Sequence, residues 1–266
     1  MTMFKVHETI FNTTSDGKPM TVLHKKPLKK EKFPAVVIFH DAPGIREAIH
    51  AFSQRLAGHG YDVFVPDLYH RHGRLIGFSS HDLATDPSAK PRMYELLAAL
   101  TDDGIQQDLD VTLKLVDKHN LAAQKGEGNN SKQSNQVYCI GFCVGARAVF
   151  HTMMQRPEQF VAGAMWHPSF LVDDTPNSPH LTASEFPGSL YIGFGEADET
   201  MSVASMQPFI DAVAPLSDRV TIDIHPEADH AYTWPDTSNY NEAAAQKSWE
   251  QTLQLFEQTT AAANRL

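Results

Sequence analysis

The residues of this chain that could do chemistry gather around Cys143, in Gly141-Phe142-Cys143-Val144-Gly145. The pattern G-x-C-x-G is a nucleophile elbow with sulfur where oxygen is usual. A nucleophile lifted on a sharp strand-to-helix turn leaves no room for side chains two residues to either side, and glycine suits both places. A helix starting at that point aims its first N–H groups and the positive end of its dipole at the sulfur, which favours the reactive thiolate. The surrounding stretch Val137 to Ala146, V-Y-C-I-G-F-C-V-G-A, supplies the strand, turn and helix start that the motif needs. The plain alternative is a buried structural cysteine, since free cysteine is among the most buried residue types.

A thiol nucleophile benefits from a base, and the base from a carboxylate that orients it. Two loops offer them. The strand Leu190-Tyr191-Ile192-Gly193-Phe194 runs into Gly195-Glu196-Ala197-Asp198-Glu199. The strand 219–225 runs into Pro226-Glu227-Ala228-Asp229-His230-Ala231-Tyr232. Asp198 and His230 each fall just beyond a strand end, and the chain order is nucleophile, acid, histidine. His225 is the rival histidine, but it lies within a strand and reads as a packed or edge residue. Glu196 and Glu199 are the rival acids, and they read as solvated loop charges.

The elements that must position these groups alternate. Residues 4–10 and 20–25 read as two strands joined at Ser15-Asp16-Gly17, a hairpin signal. The run Pro34 to Asp41, P-A-V-V-I-F-H-D, and the run Asp62 to Leu68, D-V-F-V-P-D-L, suit strands buried on both faces of a parallel sheet. Between them, 46–59 has helical spacing. Residues 70–90 read as a loop, long enough to be a lid or a binding wall. Residues 91–119 read as helix in two pieces broken near 101–104, and 124–136 as a solvated loop. A strand is expected at 161–167, an irregular stretch at 168–187, a strand at 189–194, a helix at 202–215 and a C-terminal helix at about 241–262. Such alternation from residue 34 onward predicts one α/β domain whose ligands bind at the carboxyl ends of the strands.

Composition narrows the classes. Over 266 residues, 42% are hydrophobic and 20% charged, enough for a sizeable core. The net charge of −10 lacks the footprint of a nucleic-acid binder and is repelled by anionic membranes. No apolar run approaches a membrane span, and M-T-M-F-K-V-H-E-T-I has no signal-peptide h-region, so a cytoplasmic protein is expected. Two cysteines, Cys139 and Cys143, argue against a disulfide-built domain, and no bridge between them is expected. The 14 histidines show no metal-ligand spacing, so no metal is inferred; Tyr69-His70-Arg71-His72 is the nearest cue.

With these residues in place, the chain resembles the dienelactone hydrolases. The resemblance rests on G-F-C-V-G, on G-E-A-D after one strand and on A-D-H-A-Y after the next. Upstream, P-A-V-V-I-F-H-D-A-P-G-I-R-E and G-Y-D-V-F-V-P-D-L-Y are similar to the family's corresponding strands. The family has the α/β-hydrolase fold, a mostly parallel central sheet with helices on both faces, and opens the enol-lactone ring of carboxymethylenebutenolide. The resemblance implies one domain over residues 1–266 with an N-terminal β-hairpin at about 4–25. It implies Cys143 as nucleophile, Asp198 as acid and His230 as base. It puts Asp41 where a glutamate holds the resting thiol, one methylene shorter; read alone, Asp41 is a turn cap before Pro43-Gly44. The backbone N–H groups of Val144 and Ala42 would form the oxyanion hole.

For the substrate pocket, the resemblance points to Tyr69, whose other reading is core packing, and to Arg92 as one carboxylate-binding arginine. The second such arginine, four residues beyond the histidine, is here Trp234. This implies an ester or lactone less anionic, or larger, than dienelactone. The expected activity is hydrolysis of a lactone or carboxylic ester through a thioester acyl-enzyme. No cofactor, nucleic acid or membrane partner is expected, and the state would be a monomer or small homo-oligomer. Two rival readings are a non-catalytic α/β-hydrolase-fold protein that binds a ligand or partner, and a redox role for Cys143 with Cys139 as resolving thiol.

Overall fold

The computed structural model describes residues 3–124 and 137–263, so nearly all of the expected loop at 124–136 lies outside the described residues. The chain divides into two compact units, residues 1–137 and 138–266.

The first unit opens with β1 (Val6–Ser15) and β2 (Lys18–Pro27), an antiparallel hairpin. Asp16 and Gly17 at its tip have φ of 50° and 68°. Two successive left-handed residues match the right-handed twist of the flanking strands, so the ladder closes up to the turn and both strands outrun their expected bounds. Then follow β3 (Ala35–Phe39), α1 (Glu47–Gly58) and β4 (Asp62–Pro66). The strand order is β1-β2-β4-β3, with β4 antiparallel to β2 and parallel to β3. Every residue of β3 and β4 is buried, as their unbroken apolar runs predict.

The expected loop at 70–90 is shorter than foreseen. Residues 80–85 form a helix, α2 (Ser80–Thr85), because Ser79 and Asp82 make a reciprocal capping box across its first turn. The remaining turn after β4 is pinned by Asp67, whose carboxylate accepts from the N–H groups of Tyr69 at 3.1 Å and Leu75 at 2.6 Å. The two-piece helical stretch is α3 (Ala89–Ala98) and α4 (Asp102–Gln124), broken close to the expected place.

The second unit carries β5 (Val137–Phe142) from its second residue on, α5 (Val144–Gln155), β6 (Phe160–Trp166), β7 (Ser189–Gly195), α6 (Gln207–Val213), β8 (Val220–His225) and α7 (Glu242–Ala263). Its strands lie in the order β5-β6-β7-β8, and β6, β7 and β8 run parallel. Strand alternation sends neighbouring side chains to opposite faces. On one face Tyr138 stacks on Phe256 of α7 at 4.4 Å and Trp166 donates to Thr252 at 3.1 Å. On the other, α5 brings Val149 and Met153 close against Gly163 of β6. Helix α6 starts later than expected, at Gln207, because residues 203–206 turn without continuing a helix. No described helix is long and apolar enough to cross a membrane.

Candidate active site

Cys143 sits in the second unit, on the residue between β5 and α5, with φ 53° and ψ −117°. A side chain costs energy in that region, and such strain tends to gather where a group must be aimed. A Cβ at Gly141 would stand 2.1 Å from the carbonyl oxygen of Gly145, so this turn cannot form with any other residue at 141. The bend is fixed by backbone bonds: Cys143 N–H donates to Trp166 O at 3.2 Å, and Cys143 O accepts from Ser169 N–H at 3.0 Å. Val144 is the first residue of α5, where N–H groups have no carbonyl one turn back to meet.

His230 and Asp198 stand together. Nδ1 of His230 is 2.6 Å from Oδ2 of Asp198, and the other carboxylate oxygen accepts from Met201 N–H at 2.7 Å. The loop that carries His230 turns through left-handed residues Glu227 and Ala231 and is tied down by Asn239, which donates to His230 O at 2.9 Å. The Cys143 sulfur is a second neighbour that favours the protonated imidazole of His230. Burial works against a charged imidazole here, but the Asp198 carboxylate and the sulfur outweigh it and push the His230 pKa up to about 10. Burial likewise works to raise Asp198, and the bonds from His230 and the Met201 and Thr200 N–H groups reverse it, holding the carboxyl below its usual range. The Asp198 carboxylate thus orients the His230 ring and favours its charged form.

Two neighbours were not foreseen. Ser169 Oγ lies 3.2 Å from the Cys143 sulfur and is buried. His167, in the left-handed region at φ 40°, packs edge-on to the His230 ring with centroids 5.2 Å apart. Both come after β6 at its carboxyl end, so the rule that ligand-facing residues lie just beyond strands could have found them.

The rivals fall elsewhere. His225 ends β8 with Nε2 3.0 Å from Ser248 Oγ and 3.2 Å from Tyr191 OH, a packed residue as expected. Glu196 and Glu199 are exposed. Both cysteines are free, and burial drives the Cys139 thiol far above its ordinary pKa, which removes the resolving thiol that the redox reading requires. Trp234 is 1% exposed and packs on Phe142 at 4.6 Å. Its ring thus backs the residue before the thiol. A cation near the elbow, Arg147 of α5, is engaged by Asp173 at 2.6 Å and by Phe170 O at 2.8 Å.

The remaining expected residues belong to the first unit. Asp41 is buried and takes a bidentate pair from Arg46, at 2.6 and 3.0 Å; this arginine, in G-I-R-E, is not among the expected site residues. Tyr69 is fully buried and donates to Ala42 O at 2.7 Å, so its phenol braces the turn that carries Ala42. Arg92 lies on the exposed side of α3 in an ion pair with Glu95 at 3.0 Å. His70 of the Y-H-R-H cue is held by Asp108 at 3.0 Å and Pro19 O at 3.1 Å, with Arg71 on the same carboxylate.

Residues 20–260 match the model of the dienelactone hydrolase family. The chain is 24% identical over 248 residues to the protein named "Putative carboxymethylenebutenolidase" of Escherichia coli K12, covering 92% of this chain and 84% of that one. A protein of the same name from Methylorubrum extorquens AM1 is 24% identical over 235 residues, 87% of this chain and 74% of that one. Among solved structures, one titled a putative dienelactone hydrolase from Klebsiella pneumoniae superposes with a TM-score of 0.76 at 23% identity, covering 96% of this chain and 99% of that one. A dienelactone hydrolase-like promiscuous phosphotriesterase from metagenomic libraries superposes at 0.67 and 18%, covering 95% and 98%. The chain belongs to the dienelactone hydrolase family, and its fold is the expected α/β-hydrolase fold with a mostly parallel sheet.

Proposed function

We propose that this member of a hydrolase family cleaves a lactone or carboxylic ester with Cys143 as nucleophile. The observation that carries the reading is the Asp198–His230 hydrogen bond and the strained elbow that carries Cys143, at the carboxyl ends of β7, β8 and β5. The sulfur attacks the carbonyl carbon, and the negative charge that forms on oxygen meets the N–H of Val144 and, through the family resemblance, that of Ala42. Donors already aimed at such an oxyanion contribute about 3 kcal/mol each. Collapse of the adduct expels the alkoxide or enolate, which takes its proton from His230 and leaves a thioester. His230, now neutral, removes a proton from water, the hydroxide attacks the thioester, and the carboxylic acid departs as the thiolate–imidazolium pair reforms. Asp198 keeps the imidazole in the required tautomer and favours its charged form.

In this reading Asp41 enters only through the resemblance, as a group that assists thiolate formation. The position that holds a substrate carboxylate in the dienelactone enzymes carries Trp234, and Arg147 already has an acidic partner. A neutral or weakly anionic substrate follows from that. The test is a panel of activated aryl esters and lactones, with a phosphotriester added, run with wild type and Cys143→Ala. Turnover of an ester or lactone that disappears in the variant supports the reading. Turnover that survives overturns it.

A further inference from the structure

We propose that His24, Asp62 and His119 in the first unit form a binding site for one divalent transition-metal ion of the zinc type. His24 lies in β2, Asp62 opens β4 and His119 is near the end of α4. Each offers one ligand atom, and the three atoms lie within 4.8 Å of one another. The sheet brings two of them together. His24 pairs with Phe64 across the antiparallel β2/β4 ladder, and Asp62 shares a face with Phe64 two residues on, which sets Nε2 of His24 2.5 Å from Oδ1 of Asp62.

The donor set is two imidazoles and a carboxylate, which suits zinc and its first-row neighbours better than calcium or magnesium. Around a tetrahedral ion with bonds of about 2.0–2.2 Å, the ligand atoms stand about 3.3 Å apart. Reaching that spacing asks the His24–Asp62 pair to part from 2.5 Å and the half-buried His119 ring to turn toward them. With Nε2 of His24 as the ligand nitrogen, the ion would sit between it and the Asp62 carboxylate and take the place of the hydrogen bond that now joins them.

The surroundings fit as well. Phe64 packs on His24 at 4.5 Å, and Phe11 packs on His24 at 5.2 Å and on His119 at 5.1 Å, giving the site an apolar shell. Three protein ligands leave a fourth position for water on the solvent side of His119. An ion there would tie β2, β4 and α4 together and stabilise the folded first unit by mass action.

The test uses untagged full-length protein stripped with a chelator and titrated with Co²⁺, whose visible absorption reports tetrahedral coordination, followed by competition with Zn²⁺. The expected result is one Co²⁺ per chain, displaced by Zn²⁺, with an affinity at least tenfold weaker in His119→Ala and unchanged in the exposed-surface control His72→Ala. Zn²⁺ should raise Tm by several degrees in wild type and not in His119→Ala. Asp62→Asn, which keeps its shape, should weaken binding like His119→Ala and guards against a folding defect in the first variant. No stoichiometric uptake by the wild type, or equal uptake by both ligand variants, overturns the proposal. The Cys143→Ala protein should bind the ion as wild type does, so the outcome is independent of the hydrolytic reading.

Discussion

Two of the His–Asp pairs among the described residues are nearly the same length, His230–Asp198 at 2.6 Å and His24–Asp62 at 2.5 Å. The difference between them is the third group. In the second unit the imidazole meets a thiol held on a strained turn at the end of a strand, in a loop partly open to solvent. In the first unit it meets another imidazole inside an aromatic shell, with no nucleophile in the cluster. A carboxylate that orients an imidazole is therefore no signature of catalysis. The group toward which the imidazole is turned decides whether the pair moves protons or holds a ligand or a fold together.

The hardest test of that contrast is the thiol. Cys143→Ala should lower turnover by about 10⁵-fold or more, as loss of a nucleophile does in acyl-transfer enzymes; steady-state assays on an aryl ester check it. Next come matched substitutions in the two acids. Asp198→Asn should lower kcat by about 10³–10⁴-fold with the fold intact, because the imidazole loses its tautomer control. Asp62→Asn should leave kcat/KM within about twofold yet cost about 2 kcal/mol of stability in chelator-treated protein, a Tm drop of about 4–8 °C. Equal effects of the two on activity would dissolve the comparison.

A finer test comes from the charge state. His230 has a folded pKa of about 10, above its unfolded value. The stability it contributes is therefore complete below the unfolded value of about 6.5 and is lost as pH rises through about 10. The His230 ring followed by NMR should titrate near the folded value in wild type and at least about one unit lower in Asp198→Asn, where the first attractive partner is gone. Ser169→Ala should have the smallest effect. Losing one hydrogen bond to sulfur, worth about 1 kcal/mol, should change the second-order rate of Cys143 alkylation about fivefold; a rate equal to wild type would leave Ser169 without a part in holding the thiol.

Much of this is legible in the chain because it is written locally. The elbow is five consecutive residues, the D-G turn is two, and β3 and β4 are unbroken apolar runs whose only sensible place is inside a parallel sheet. Asp198 and His230 stand out because each comes directly after a strand, in the loop where an α/β sheet presents its ligand-facing groups. Helix α2 is legible too, in the Ser79 and Asp82 capping box, but the glycines and histidines around it give 70–90 the look of a loop. Other features depend on tertiary packing that no spacing encodes. Arg46 closes on Asp41 only because the turn folds back. The packing of Trp234 on Phe142 and His167 is likewise set by the fold and not by any spacing. The histidines of the proposed metal site share no motif, since His24 and Asp62, 38 residues apart, meet only through the register of β2 on β4.

The unequal fates of the two sulfurs have a practical consequence. Cys139 is walled off completely, whereas Cys143 keeps a small open face. A mild electrophile should therefore label one atom per molecule, and the label count would equal the number of correctly folded sites in a preparation. Such a titration measures the working fraction before any natural substrate has been identified, and a fluorescent version would report denaturation as the moment when a second equivalent is taken up.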